Sequence, residues 1–429
     1  MGLAGVQKGL SDCVWMGDNA VHLEARPYLL HNRIQPYEWG SRGPGAFIPR
    51  LLGIEPEPGQ PYAELWIGAH PSAPSQVELC GRLVPLPELI GWEPELVLGP
   101  AVAAKFHGSL PFLLKVLSAA RPLSIQVHPD RAQAQRLHAR DPQHYPDPNH
   151  KPEVAIALDG LSALAGFKPF GGILGALERT PELAELAGPV LLRDLAAAAT
   201  APPSTQQALV RRLYGALVES ASDGEAALLG ALERLERRLR GRAHLAEEEA
   251  LFLDLRREYP GPDIGLLTVF LLNLVHLKAG QGLYIGAGVP HAYLRGNIVE
   301  CMAASDNVVR AGLTSKFKDA AALAEVLTYE LGPAHILEAV PGPGEVVYPT
   351  PAAEFQVTRW DLLAGSERGE QDRGSVEVLL VTAGEVLLRW PAAGEVVLRH
   401  GQAVLIPACL AEYKVAARSP AQVFRVTVP

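Results

Sequence analysis

The chain has 429 residues, 48% of them hydrophobic and 20% charged, with a net charge of −9 and a pI near 5.8. Such a length supplies material for two to four domains at ~100–200 residues each, and the composition is that of an ordinary globular protein. The acidic balance argues against nucleic acid or an anionic membrane as the main partner, and no run approaches the ~18 apolar residues of a membrane span.

Residues 1–26 lack a basic start followed by an apolar core, so they do not read as a signal peptide; a poorly ordered extension is expected there. From Tyr28 to Phe170 the pattern is strand-like. Short apolar runs such as Ala63-Glu64-Leu65-Trp66-Ile67 and Phe112-Leu113-Leu114-Lys115-Val116-Leu117 are bounded by Gly, Pro and Ser clusters. A helix is predicted from Asp130 to Arg140, behind the start signal Pro129-Asp130. From Gly171 to about Pro262 Ala, Leu, Glu and Arg dominate, and Leu228, Leu232, Leu235 and Leu239 recur at helical spacing. This predicts an inserted helical region whose Arg-rich face, Arg234 to Arg242, is solvated. An apolar helix is predicted from about Leu266 to Val275, with strands resuming near Leu277. Beyond Gly332 the chain is β-rich again, with strands at Val376–Val381 and Glu385–Leu388 around the Ala383-Gly384 turn.

An internal repeat links the two β-rich parts. Gly280-Gln281-Gly282-Leu283-Tyr284-Ile285 aligns with Gly401-Gln402-Ala403-Val404-Leu405-Ile406, and the register then sets Glu412 against His291. Two related small barrels are expected, only the first of them able to hold metal. The four cysteines, Cys13, Cys80, Cys301 and Cys409, form no CxxC pair. They predict neither a thiolate zinc site nor a disulfide framework, which fits a reducing cytoplasm.

Three segments carry the chemistry. Gln126 and His128 are two apart, so a strand points both to one face. Glu153 heads the strand-like run Val154–Leu158. His291 follows Leu283-Tyr284-Ile285 and a Gly/Pro turn. Side by side, these strands bring together two imidazoles, a carboxylate and an amide oxygen, a donor set best suited to zinc. The stretch from His291 to Lys316 is too polar for a buried strand and too rich in glycine and apolar residues for disorder, and reads as a loop lining a pocket. Arg310 and Lys316 suit an anionic group, with Lys115 and Ser124 adding to that site. A turn at Gly296 would carry Glu300 to the metal, where a carboxylate suits a general base. Lys151 and Tyr293 are adjacent polar groups.

Together with Gln35-Pro36-Tyr37-Glu38-Trp39-Gly40, Pro61-Tyr62-Ala63-Glu64-Leu65-Trp66-Ile67-Gly68-Ala69-His70-Pro71, Gln126-Val127-His128-Pro129-Asp130 and His150-Lys151-Pro152-Glu153, these segments resemble the type I mannose-6-phosphate isomerase family from about Tyr28 to Lys318. The resemblance implies a mainly β fold with two cupin-like jelly-roll barrels and an inserted helical domain. The catalytic barrel would be 27–170 with 266–331, the insertion 171–265, and the metal-free barrel 332–429. It implies one Zn2+ per chain on Gln126, His128, Glu153 and His291, an arginine needed for activity at Arg310, and further pocket residues at Tyr293, Glu300, Lys151, Glu64 and His70. The implied reaction interconverts mannose 6-phosphate and fructose 6-phosphate through a cis-enediol(ate), with Glu300 as the expected proton shuttle and Lys151 and Tyr293 assisting. A small-molecule sugar phosphate would be the partner of a cytoplasmic monomer or weak homo-oligomer. Thr314-Ser315-Lys316 departs from the family's frequent Thr-Pro-Lys, and residues 1–26 have no counterpart. Two other classes stay open, a non-catalytic sugar-phosphate-binding cupin and a metal-dependent cupin oxygenase. Zinc favours the isomerase, iron the oxygenase, and no metal the binding protein.

Overall fold

Strand Phe112–Ala119 is buried along its whole length because strands lie on both sides of it and matter packs on both faces. The computed structural model to which it belongs describes residues 23–429 apart from 223, 338–339 and 343. Among these residues, antiparallel strands form sheets of ten, nine, four and two strands, accompanied by 13 helices.

The ten-stranded sheet runs Ile336–Leu337, Gly282–Ile285, Glu153–Phe167, His291–Ala303, Phe112–Ala119, Glu64–Gly68, Arg33–Gln35, with Leu272–Lys278, Ile125–Val127 and Val309–Gly312 paired off this path. Alternation sorts its side chains. Leu114, Val116, Val154, Ile156, Val299 and Cys301 face one way and share a core with Val378, Leu405 and Phe424 of the nine-stranded sheet. The residues between them, Lys115, Glu153 and Glu300, face the other way. The nine-stranded sheet is built largely from residues 340–427, yet it takes in Tyr28–His31 between Ala403–Ile406 and Gln76–Leu79. The amino-terminal strand is thus part of the carboxy-terminal sheet.

The strand paths are open and return to no starting strand; the expected closed barrels are not seen as such. The ten-stranded sheet is nonetheless strongly bent. Glu153 is the cross-strand partner of Met302, while its carboxylate lies 3.5 Å from His291 Nε2. Laid flat, the stretch from His291 to Met302 would span about 35 Å. The register jumps between Ala157 and Leu161, where Gly296 lies opposite Leu161. Gly296 has φ 139°, and a Cβ there would stand 2.1 Å from the Gly160 carbonyl oxygen. The turn expected at Gly296 is therefore a bend inside one continuous strand, His291–Ala303. Bulges produce such bends without breaking the ladder.

Helices Phe170–Arg179, Pro181–Ala187, Pro189–Ala197, Pro203–Ser222, Glu225–Arg240 and Glu247–Glu258 occupy the expected helical stretch. Their core is not their own. Leu213, Leu232, Leu235 and Phe252 share one apolar cluster with Ile125, Val127, Leu164, Ala292, Leu294 and Val309 of the sheet. The Arg-rich face is exposed as expected at Arg234, Arg237, Arg240 and Arg242, and within it Arg234, Arg238 and Arg242 pair with Glu185, Glu182 and Glu249. The predicted helix from Leu266 to Val275 is mostly absent. Only Gly265–Thr268 is helical, and Leu272–Lys278 is a strand paired along Gly160–Leu164. A short apolar run does not reveal its own period, and here the available partner strand decides. Helix Arg131–Arg140 starts as expected, with Asp130 and Gln133 exchanging capping hydrogen bonds.

The repeat is structural. Lys278 N–H donates to Gln281 Oε1 and Arg399 N–H to Gln402 Oε1, both at 2.8 Å, with Gly280 and Gly401 at φ 82° and 81°. Glu412, set against His291, is exposed. Cys301 and Cys409 are free, but Cys80 is disulfide-bonded. This single bond is no disulfide framework, but it was not foreseen, because wide sequence spacing says nothing about approach in space. Residues 1–22 of the expected extension lie outside the described residues, whereas Leu23 is buried in the main core and Glu24 exchanges hydrogen bonds with the Tyr28 hydroxyl. Among the described residues no helix is long and apolar enough to cross a membrane.

Candidate metal centre and its cavity

His291, Gln126 and Arg310 sit on three adjacent strands as cross-strand neighbours. Side chains in such a row share a face. Their intervening residues, Ile125, Val127, Ala292, Val309 and Ala311, belong to the core shared with the helices. His128 lies two residues beyond Gln126 and shares its face, and the bend of the sheet brings Glu153 to meet it. His128 Nε2 is 3.3 Å from Glu153 Oε1, and ligand atoms of His128, Glu153 and His291 all lie within 4.8 Å of one another. All three are buried, at 0%, 2% and 0% exposure.

The histidine tautomers are set from behind. His128 Nδ1 donates to the Asn307 carbonyl at 2.9 Å and His291 Nδ1 to the Val289 carbonyl at 3.0 Å. Both Nε2 atoms then face the carboxylate, and a backbone carbonyl behind the ring is the arrangement that orients metal-binding imidazoles. Burial pushes the pKa of His128 down to about 4, against the pull of Glu153, so this ring is neutral at neutral pH. Burial works against the Glu153 charge as well, but His128 and Lys151 prevail and hold its pKa well below the usual carboxylate range. His128 Nε2 and Glu153 Oε2 have no hydrogen-bond partner. Buried polar atoms are rarely left so. Gln126 completes the group, its amide nitrogen 3.3 Å from His291 Nε2; turned over, the amide presents an oxygen there. Two imidazoles, a carboxylate and an amide fit a borderline divalent cation such as zinc.

Gln126 and Glu153 line a cavity of about 600 Å³, within the range of small-molecule sites. Lys115 lies across from Glu300 and Trp66 in the sheet. Its Nζ is 3.4 Å from Glu300 Oε2 and 3.6 Å from Glu64 Oε2, and the Trp66 indole N–H donates to Glu64. Lys115, expected among the anion binders, is therefore already shared by two carboxylates. Burial opposes its charge, yet Glu64 and Glu300 raise its pKa. Burial, seconded by Glu153, raises the pKa of Glu300 against the pull of Lys115. Lys151 Nζ is 3.2 Å from Glu153 Oε1. The Tyr293 hydroxyl is buried without a partner, and burial pushes its pKa well up.

Arg310 lines the cavity, half-buried, and makes no ion pair with the described residues; burial lowers its pKa. Ser124 lines the same cavity, and Lys316 stands exposed at its mouth. His70 does not line it. Its ring is edge-on to Trp66 at 4.5 Å and its Nε2 is 3.0 Å from Asp306. Several contributors have no obvious mark in the sequence. The Asn307 and Val289 carbonyls act through the backbone. Asp263 holds the Leu313–Thr314 backbone, and Arg121 pairs with Glu258 of the helical stretch at 3.2 Å on the cavity wall. Of these, only Asn307 lies within the polar stretch between His291 and Lys316.

Known proteins resemble this chain along most of its length. The family described as phosphomannose isomerase type I, catalytic domain, matches residues 28–170. Mannose-6-phosphate isomerase 2 of Arabidopsis thaliana is 38% identical over 392 residues, covering 87% of this chain and 87% of its own. Mannose-6-phosphate isomerase of Homo sapiens is 35% identical over 384 residues, covering 85% and 89%. A zinc-bound mannose 6-phosphate isomerase structure superposes with a TM-score of 0.80 at 32% identity, covering 93% of this chain and 98% of that one. A variant of phosphomannose isomerase from Salmonella typhimurium gives 0.81 at 32% identity, with the same coverage.

Proposed function

This chain belongs to the mannose-6-phosphate isomerase family, and on that premise we propose that its cavity interconverts mannose 6-phosphate and fructose 6-phosphate with one zinc ion held by Gln126, His128, Glu153 and His291. The observation that carries the reading is the buried donor set beside the cavity, with His128 Nε2 and Glu153 Oε2 making no hydrogen bond and Gln126 and Glu153 lining the cavity wall. Zinc, when bound, supplies Lewis-acid polarisation of the sugar oxygens.

The protein's own groups do the rest. Glu300 takes the proton from C2 of the open-chain aldose and returns it to C1, passing through a cis-enediol. Its raised pKa brings it closer to the range where a carboxyl exchanges protons readily, and Lys115 holds it in place. Lys151 and Tyr293 serve the hydroxyl protons on O1 and O2. Arg310 is the cross-strand neighbour of Gln126, so its unpaired guanidinium stands near the oxygens on which charge develops. Lys316 and Ser124 hold the phosphate at the other end. The size of the cavity suits one hexose phosphate, and a monomer or weak homo-oligomer suffices, since the residues named all come from one chain.

We also read the bent ten-stranded sheet and the nine-stranded sheet with its four-stranded cover as two cupin-like barrels, the second without metal, and 171–265 as a helical insertion. The structural likeness to phosphomannose isomerases along nearly the whole chain supports this reading.

The test is conversion of mannose 6-phosphate to fructose 6-phosphate by purified protein, before and after a chelator and again after zinc. Activity lost and then restored supports the proposal. Zinc-loaded protein that binds the sugar phosphate without converting it points to the binding module, and restoration by iron alone to an oxygenase-type site.

A further inference from the structure

Glu354 lies beyond Gly332, in the loop that enters strand Gln356–Leu362 of the nine-stranded sheet. Its side chain is nearly inaccessible and reaches across to the loops of the metal-site half. Oε1 accepts from His150 Nε2 at 2.7 Å and from Arg131 Nη2 at 2.9 Å. Burial works against its charge, but His150 and Arg131 keep the carboxyl ionised below the ordinary range.

Both of its partners adjoin metal donors. Arg131 directly follows His128-Pro129-Asp130, and His150 opens His150-Lys151-Pro152-Glu153. A further route passes between them. Arg131 Nη1 reaches Asn149 Oδ1 at 3.4 Å, Asn307 Nδ2 donates to the Asn149 carbonyl at 2.9 Å, and the Asn307 carbonyl accepts from His128 Nδ1 at 2.9 Å. One carboxylate from the carboxy-terminal half thus ties together the segment that carries His128 and the segment that carries Glu153. Its neighbours Ala352 and Phe355 pack into the core between the sheets, so the loop is anchored independently of the carboxylate.

We infer that Glu354 is a positioning residue through which the carboxy-terminal half holds His128 and Glu153 at metal-binding distance. The inference rests on the zinc reading of the site. It gives the metal-free half a part in the chemistry, because the donor geometry is assembled from both halves of the chain.

Zinc affinity of the full-length protein, stripped and retitrated against a chromophoric chelator, is the measurement, with thermal unfolding alongside. Outer partners of metal ligands govern affinity strongly, so Glu354→Gln and His150→Ala each weaken zinc binding by about tenfold. The double variant is no weaker than the worse single one, as expected for two ends of one contact. Glu377→Gln, which removes another buried carboxylate of the carboxy-terminal half, lowers the unfolding temperature and leaves zinc affinity within about twofold, the size of effect expected of distant sites. A folded Glu354→Gln that binds zinc like the parent overturns the inference, and so does a Glu377→Gln that loses zinc equally. A parent protein that fails to compete for zinc at all removes the metal reading itself, and this inference with it.

Discussion

At the scale of single residues, burial acts on the site groups in opposite senses. It keeps His128 neutral, with a pKa near 4, and lifts Glu300 above the usual carboxylate range. Both directions suit the proposed roles, of His128 as a ligand and of Glu300 as the proton carrier. Glu300→Gln should therefore lower kcat by roughly 10³-fold, within the span of general acid–base catalysis, while zinc content stays at the parent level. Near-normal turnover in steady-state kinetics would remove Glu300 from the role. On the role proposed for Arg310, facing charge that develops during the reaction, Arg310→Ala should lower kcat and kcat/KM together. A rise in KM alone would move Arg310 to ground-state binding. The pairing of Gln126 with His128 was legible because alternation is local. The true setting of Lys115 was not. Its flanking sequence is a plain apolar strand, and Glu64 and Glu300 reach it only through two neighbouring strands.

At the scale of elements, the mouth of the cavity depends on a loop with little regular structure. Asp263 Oδ1 accepts from Gly265 N–H at 2.7 Å and from Leu313 N–H at 2.9 Å, with Thr314 N–H at 3.3 Å from Oδ2. The clamp holds Leu313 at φ 53°, and Gly312 packs so closely that a Cβ would stand 2.5 Å from Gly265 Cα. Asp263→Ala leaves buried N–H groups unpaired. It should cost roughly 2 kcal/mol in denaturant unfolding and raise KM for the sugar phosphate, since Lys316 hangs from this loop; parent-like values of both would refute the clamp. Sequence reading went astray in the same region, placing a helix over a segment that is mostly the strand Leu272–Lys278. The pairing with Glu153–Phe167 outweighed any local preference.

At the scale of the molecule, stability in acid should depend on the carboxy-terminal half. Glu377 is buried against Arg425 at 2.6 Å and Arg373 at 2.9 Å, and it accepts from the Tyr413 hydroxyl. Burial raises its pKa, but the hydrogen bond and charge of Arg425, with Arg373, prevail and depress it. A depressed folded-state pKa contributes stability above the unfolded value, near 4.3 for a glutamate. That contribution fades as pH falls through the lower folded value and is gone below both. Thermal midpoints measured from neutral pH downwards should show this acid limb. Glu377→Gln should flatten it and be less stable at neutral pH, because two partly buried guanidinium groups lose their counter-charge. An unchanged limb would assign acid sensitivity to other carboxylates.

The sequence by itself determined the donor types, their strand faces, the helical stretch and the repeated Gly-Gln turn. Each is a local property, written in periods of two or 3.6 residues or in turn chemistry. Only the tertiary structure decided how these pieces meet. The bend at Gly296 brings Glu153 to His291, the amino-terminal strand joins the carboxy-terminal sheet, the helices share the sheet's core, and Glu354 reaches His150 and Arg131. All of these are contacts between residues far apart in the chain. Their free energy depends on shape and burial once the chain has closed on itself, and a linear pattern carries no record of it.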